Sequence, residues 1–235
     1  MTFSLAGRCA RTGQLGIVIS SSSPAVAARC AWVRAGVGAV CTQNITDPRL
    51  GTALLDRLEA GAGPGGGPGA QEALAALAAE TADIDYRQLT VVTAAGDVAA
   101  YSGSHALGRH AVATGAECVA AGNLLADEGV PQAMVDAFLA DSADDDSALD
   151  LGDRLIAALR AALAAGGEEG PVRSCGLLIA GTEAWPLTDL RVDWDDDPVA
   201  RLAEAWEVWK PQAEQYVDRA LHPAGAPSFG VPGDE

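Results

Sequence analysis

Phe3-Ser4-Leu5-Ala6-Gly7-Arg8-Cys9 leads into Arg11-Thr12-Gly13, and Leu15-Gly16-Ile17-Val18-Ile19 follows. Two apolar runs of strand length joined by turn-forming residues signal a hairpin. A second pair, Cys30-Ala31-Trp32-Val33 and Val37-Gly38-Ala39-Val40, is broken at Gly36. None of these runs alternates cleanly between polar and apolar residues. Strands of that kind are covered on both faces.

The rest of the chain supplies the cover. Asp47-Pro48 opens a helix carrying Leu50, Leu54, Leu55 and Leu58, since Asp caps and Pro fits a first turn. It ends at Gly61. Ala62 to Gly69 reads as a mobile tip, and Ala70 to Ala82, rich in Ala, Leu and Glu, as the next helix. Strands return at Leu89–Thr93 and Val98–Ser102, with Val112–Thr114 and Cys118–Gly122 as a further pair. Two helices follow: Gln132 to Leu139, then the stripe Leu151, Leu155, Leu159, Leu163, stopped by Gly166-Gly167. Cys175–Ile179 and Leu187–Trp194 are the last strands. Strands, then paired helices, then strands again predict an α/β (α+β) protein built as a four-layer αββα sandwich. A doubly wound parallel sheet fits worse, because strands and helices do not alternate singly.

Residues 1–200 form the predicted sandwich domain, and 201–235 a C-terminal helix with a proline-rich tail. Asp197-Pro198 starts a helix whose Val199, Leu202, Trp206 and Trp209 make a narrow apolar seam. Two tryptophans on one seam either return to the core or meet a second subunit. Pro211 interrupts the helix, Tyr216, Val217 and Leu221 follow, and Pro223, Pro227 and Pro232 punctuate the end. The expectation is a homodimer or higher homo-oligomer in which this tail crosses a neighbouring copy.

The 235 residues carry 15 Lys+Arg against 32 Asp+Glu, a net charge of -17, and Lys210 is the single lysine. Such a surface repels phosphate backbones and anionic lipid, so neither nucleic acid nor membrane is an expected partner. No run reaches the length of a membrane span, and the start lacks a secretory signal, so the expected location is cytoplasmic. Cys9, Cys30, Cys41, Cys118 and Cys175 are scattered in apolar surroundings and read as small, reduced core residues.

Phosphate loop, nucleophile elbow and zinc-protease motifs are absent from the sequence. His105 and His110 belong to a polar loop near Ser102-Gly103-Ser104. The acid runs Asp144–Asp146 and Asp193, Asp195, Asp196, Asp197 read as solvated, with Asp197 as a cap, so no metal and no cofactor is expected. One candidate remains. Thr2 follows Met1, and removal of Met1 would give Thr2 a hydroxyl and a free α-amine of pKa near ~8. Such an amine can act as general base for its own hydroxyl in acyl transfer.

Thr2-Phe3-Ser4-Leu5 with Gly13-Gln14-Leu15-Gly16-Ile17-Val18-Ile19 resembles the opening of the domain of unknown function 1028 (DUF1028) family. Ala31-Trp32-Val33-Arg34-Ala35-Gly36-Val37-Gly38-Ala39-Val40, then Thr42-Gln43 and Asp47-Pro48-Arg49-Leu50-Gly51, resemble its next block. Further resemblances are Asp85-Tyr86-Arg87-Gln88-Leu89, Tyr101-Ser102-Gly103-Ser104, Gly122-Asn123-Leu124-Leu125-Ala126 and Trp185-Pro186-Leu187-Thr188-Asp189-Leu190-Arg191-Val192-Asp193. Together they cover about residues 2 to 200.

The resemblance implies membership of the N-terminal nucleophile hydrolases, their αββα fold, and hydrolysis of an amide bond by the first residue. On that reading Thr2 is the nucleophile of an amidohydrolase acting on a small, peptide-like or cyclic amide. Ser21 and Ser22 are candidate proton relays, Ser22 also a substrate contact, and Gln43 and Asn44 flank the expected oxyanion donors. Asn123 holds substrate. Arg34 and Arg191 would meet an anionic substrate, and Ser104 and Asp193 complete the expected binding set. Two other readings stand beside this one: a sandwich without catalysis that binds a metabolite or a subunit, and an enzyme using Ser4 or a serine of 20–23 with metal help from Asp193.

Overall fold

A computed structural model describes residues 1–61, 69–140 and 150–228. The predicted 62–68 part of the tip, Asp144–Asp146 and Pro232 lie outside these residues. In chain order the elements are β1 (Thr2–Arg8), β2 (Leu15–Ser21), α1 (Ala27–Cys30), β3 (Ala31–Arg34), β4 (Gly38–Asn44), α2 (Arg49–Ala60) and α3 (Ala70–Glu80). There follow β5 (Arg87–Thr93), β6 (Val98–Ser102), β7 (Ala111–Gly115), β8 (Cys118–Asn123), α4 (Val130–Ala140) and α5 (Leu151–Ala164). β9 (Ser174–Ala180), β10 (Pro186–Val192), α6 (Pro198–Trp209) and α7 (Ala213–Leu221) complete the chain.

The opening hairpin forms as its turn residues require. Gly13 takes φ 72° while its N–H bonds the Cys9 carbonyl at 2.8 Å, and a side chain there would be strained. Phe3 pairs with Ser20 and Arg8 with Leu15. This hairpin supplies the middle of a six-stranded antiparallel sheet of order β10-β9-β2-β1-β8-β7; β3-β4-β5-β6 form a second, four-stranded one. Phe3, Leu5 and Val18 face α4, α5 and α6 through Met134, Phe138, Leu155 and Leu202. Ala6, Ile17, Ile19 and Val119 face the other sheet, meeting Ala39, Cys41 and Val92. Val40, Leu89 and Val91 on the far side meet Leu54, Leu58, Leu74 and Leu77 of α2 and α3. The chain is therefore a four-layer αββα sandwich. Apolar cover on both faces is the physical reason the strands do not alternate.

The tryptophan seam is covered within the chain. Val199, Leu202 and Trp206 are buried in the core beneath α4, α5 and α6, so they are not the free face that the expected subunit contact needs. Position 200, the expected end of the sandwich, lies inside α6. Asp197 caps this helix, accepting from the Ala200 N–H at 3.3 Å. Trp206 lies over Gly152, where a Cβ would come within 2.3 Å of its ring, and its indole N–H bonds Asp153 at 2.8 Å. The single lysine, Lys210, bonds the same Asp153 at 2.5 Å, which holds its pKa above the ordinary value. Among the described residues no helix is long and apolar enough to cross a membrane. All five cysteines are buried and free, and burial pushes the thiols of Cys41 and Cys175 up to about 12.

Candidate functional site

Between the two sheets the side chains change character along the strands. The middle of this space is apolar, whereas Thr2, Ser4, Ser21, Gln43, Gln88, Ser102 and Asn123 collect at one end. Period-two alternation puts Thr2 and Ser4 on the same face as Ala6. Register does the rest. Thr2 lies opposite Asn123, Phe3 opposite Ser20 (so Thr2 is beside Ser21), Gln43 opposite Gln88, and Gln88 opposite Ser102.

A chain of hydrogen bonds ties the sheets together there. Ser4 Oγ donates to Gln43 Oε1 at 2.7 Å, and Gln43 Nε2 donates to Gln88 Oε1 at 2.8 Å. Asn123 Nδ2 donates to the same Gln88 oxygen at 3.1 Å, while Gln88 Nε2 donates to Ser102 Oγ at 3.0 Å and the Gly122 carbonyl at 3.1 Å. Ser4, Gln43, Gln88 and Asn123 are fully buried. Each amide left without a partner would cost about 1–3 kcal/mol, so the network fixes these rotamers together. One acceptor is left over: Asn123 Oδ1 is buried and unbonded.

Thr2 stands beside this network. Its Oγ1 donates to the Met1 carbonyl at 2.5 Å and lies 3.3 Å from Ser21 Oγ. Ser21 Oγ also donates to the Met1 carbonyl and lies 2.8 Å from Ser23 Oγ, which accepts from Arg29 Nη2 at 2.7 Å. A line of hydroxyls thus runs from Thr2 to a guanidinium. The Met1 carbonyl oxygen gathers two hydroxyl donors, an arrangement able to polarise any acyl oxygen placed there.

The remaining predicted residues are distributed around the molecule. Ser22 is half-buried beside Ser21, at the mouth of the cluster. Asn44, at φ 72°, secures loops: its amide donates to the Tyr86 carbonyl at 2.7 Å and accepts from the Leu107 N–H at 3.1 Å. Arg34 is held away from the cluster by Asp56 and Glu59 of α2, at 2.8 and 2.6 Å. Arg191 lies on β10, 3.2 Å from Asp189. Ser104 bonds the Asp85 carboxylate at 3.0 Å, and the exposed Asp193 uses its carbonyl to accept from Ala25. His105 stacks on Tyr86 in the loop that Asn44 secures, and His110 turns to the Gly108 carbonyl. Asp195 accepts from the Asp197 N–H and Asp196 pairs with Arg173.

Two polar groups at this end of the sandwich carry no functional signal of their own in the sequence. Gln88 is legible only as part of a family-like block. Glu168 stands just past the Gly166-Gly167 helix stop, and its neighbours in the chain do not mark it. Gly166 and Gly167 take φ 111° and 61°, and the turn they make bridges Glu168 to Leu125, two residues beyond Asn123. Glu168 is 3% exposed, and burial pushes its carboxyl up to about 7, against the opposing pull of the chain-terminal amine and of Ser22.

The family described as "Family of unknown function (DUF1028)" matches residues 2–202. A crystal structure of a DUF1028 protein from Silicibacter pomeroyi is similar at 27% identity and TM-score 0.78, over 92% of this chain and 88% of that one. An ancestral β-subunit (Anbu) from Yersinia bercovieri aligns at 10% identity and TM-score 0.41, over 97% of this chain and 100% of that one. Anbu from Hyphomicrobium sp. strain MC1 aligns at 12% identity and TM-score 0.39, over 92% and 99%. No curated protein matches the chain in sequence. The matched span of 201 residues, from the first strand into α6, makes this chain a member of the DUF1028 family.

Proposed function

We propose that the protein is an amidohydrolase of the N-terminal nucleophile type, with Thr2 as nucleophile once the Met1–Thr2 bond is cut. The observation that carries this reading is the placement of Thr2: first residue of a central strand, its hydroxyl against an acyl carbonyl and beside Ser21 at the polar end of the inter-sheet space. In the reaction the freed Thr2 amine takes the proton of Oγ1 as the oxygen attacks the substrate carbonyl carbon. The Ser21 hydroxyl, which now serves the Met1 carbonyl, donates to the developing oxyanion. The amine returns its proton to the leaving nitrogen, and water releases the acyl group from Oγ1. Asn123 Oδ1 is the free acceptor for a substrate N–H, which fits an amide or cyclic amide. In this reading the chain works as a homo-oligomer.

A second reading, a sandwich that binds a small metabolite without catalysis, is favoured by one fact. With Met1 attached, the two hydroxyls are engaged by its carbonyl. The deciding experiment is a screen of small linear and cyclic amides against wild type and Thr2→Ala, with the mature N-terminus sequenced. Turnover that requires Thr2 and an N-terminal Thr supports hydrolysis. Quantitative retention of Met1 in active protein eliminates Thr2 as nucleophile.

A further inference from the structure

Arg29 lies outside the residues that the sequence singles out, yet the line of hydroxyls that starts at Thr2 ends on its guanidinium. Nη2 donates to Ser23 Oγ at 2.7 Å. Nη1 donates to the Pro24 carbonyl and, at 3.0 Å, to the Ala25 carbonyl. The backbone at Ser23 has its own anchor as well. Ser174 Oγ donates to the Ser23 carbonyl at 2.6 Å and accepts from the Val26 N–H at 3.1 Å.

Counting protons and lone pairs fixes the direction of the line. A hydroxyl carries one proton and two lone pairs, whereas a guanidinium only donates. Ser23 Oγ therefore accepts from Arg29, in a bond strengthened by the charge, and keeps its own proton for Ser21 Oγ, 2.8 Å away. Ser21 Oγ already accepts from the Ser23 N–H at 3.1 Å. With the Ser23 hydroxyl on its second lone pair, the Ser21 proton is left for the Met1 carbonyl. Thr2 Oγ1, 3.3 Å from Ser21 Oγ, then finds no lone pair there, and its proton goes to the same carbonyl at 2.5 Å. Every donor in the line points toward one acyl oxygen.

We infer that Arg29 is a positioning residue of this site: by holding Ser23 Oγ as an acceptor it sets the direction of the hydroxyl line, so that Ser21 presents a proton to the acyl oxygen and takes none from Thr2. The inference rests on the reading of Thr2 as nucleophile. As Thr2 Oγ1 bonds to the substrate carbonyl carbon, its proton passes to the freed α-amine. The π pair of the C=O becomes the oxyanion that Ser21 meets. Without Arg29 the Ser23 oxygen can accept from Ser21, which turns the Ser21 proton away from that charge. Losing an oxyanion donor outright lowers kcat by about 10²–10³, and a donor turned away part of the time costs less, about tenfold. Substrate binding changes little, because the Ser21 proton is used in full only when the charge develops.

Neutron diffraction on deuterium-exchanged crystals of wild type and Arg29→Met reads the direction of the line. In wild type the deuteron between Ser23 and Ser21 should sit on Ser23 Oγ, and in Arg29→Met on Ser21 Oγ. A wild-type deuteron on Ser21 Oγ aimed at Ser23, or an unchanged one in Arg29→Met, overturns the inference. A kinetic arm uses the best amide from the screen of wild type and Thr2→Ala. Arg29→Met should lower kcat about tenfold with KM within about twofold, and Arg29→Lys, whose ammonium also only donates, should recover most of the loss. Ser23→Ala keeps the Arg29 bonds to the two carbonyls and should match Arg29→Met. The double variant should fall no further than either single one, because both act through one line. Losses that multiply in the double variant overturn the inference. Should Arg29→Met fail to fold, Ser23→Ala and the wild-type deuteron decide. The two readings fail separately. An oriented line without amide turnover removes the hydrolase and keeps the direction that Arg29 sets, whereas Thr2-dependent turnover untouched by Arg29→Met and Ser23→Ala removes the role of Arg29 alone.

Discussion

Thr2 and Glu168 each make a distinct forecast. Replacing Thr2 by Ala removes the oxygen proposed to attack, while leaving a strand whose core contacts come from Phe3 and Leu5. Amide turnover should fall on the order of 10³-fold or more with the unfolding midpoint nearly unchanged. Glu168 speaks through stability. Its folded pKa, about 7, is above the ordinary 4.5, so the folded state holds the proton more tightly. Stability from this group is fully present below about pH 4.5 and is lost as pH rises to about 7. Wild type should therefore lose up to about 3 kcal/mol between pH 4.5 and pH 8 relative to Glu168→Gln, with the other titrating groups common to both. Urea unfolding of the two proteins at both pH values checks the difference, and parallel curves refute it.

The helices show how small residues decide docking. α5 can approach α6 because Gly152 leaves room for the Trp206 ring, and Asp153 then binds both Trp206 and Lys210. Gly152→Ala should lower the melting temperature by pushing that ring off its seat, although alanine is the better helix former. Trp206→Ala should cost about 3–5 kcal/mol, the usual consequence of emptying so large a buried site. A Gly152→Ala protein that melts with wild type would show that α6 can shift freely. On the sequence, the 3-4-3 spacing of Val199, Leu202, Trp206 and Trp209 identifies the apolar stripe correctly. It does not say whose surface covers it, because one stripe fits a neighbour's helix and a copy's helix equally well.

At the scale of the molecule, the last helices complete a layer. Ending the chain after Arg201 deletes Leu202, Ala203 and Trp206 from the core of the six-stranded side. Thermal melts and light scattering on this truncated chain should report a loss of folded stability first, whatever the oligomeric state. A truncated protein that melts like full length would contradict the packing described. The whole surface makes one more forecast. With a net charge of -17, the protein should pass through immobilised duplex DNA at physiological salt without salt-dependent retention.

Element type and order are legible in the residues. Apolar runs broken by Gly13 and Gly36 specify strands, and leucines at helical spacing specify their cover, because both periodicities are local properties of the backbone. Family-like blocks and the second position of the chain single out Thr2, with Ser21, Gln43 and Asn123 beside it. The partners these residues meet are decided elsewhere. Gln88 joins Gln43 through strand register, Glu168 bridges to Leu125 through a two-glycine turn, and Arg34, which the family-like block offers as a binding residue, is drawn outward to Asp56 and Glu59. Hydrogen bonding and burial act through space between residues distant in the chain, so the residue types are written in the sequence, and their company is set only when the two sheets close on one another.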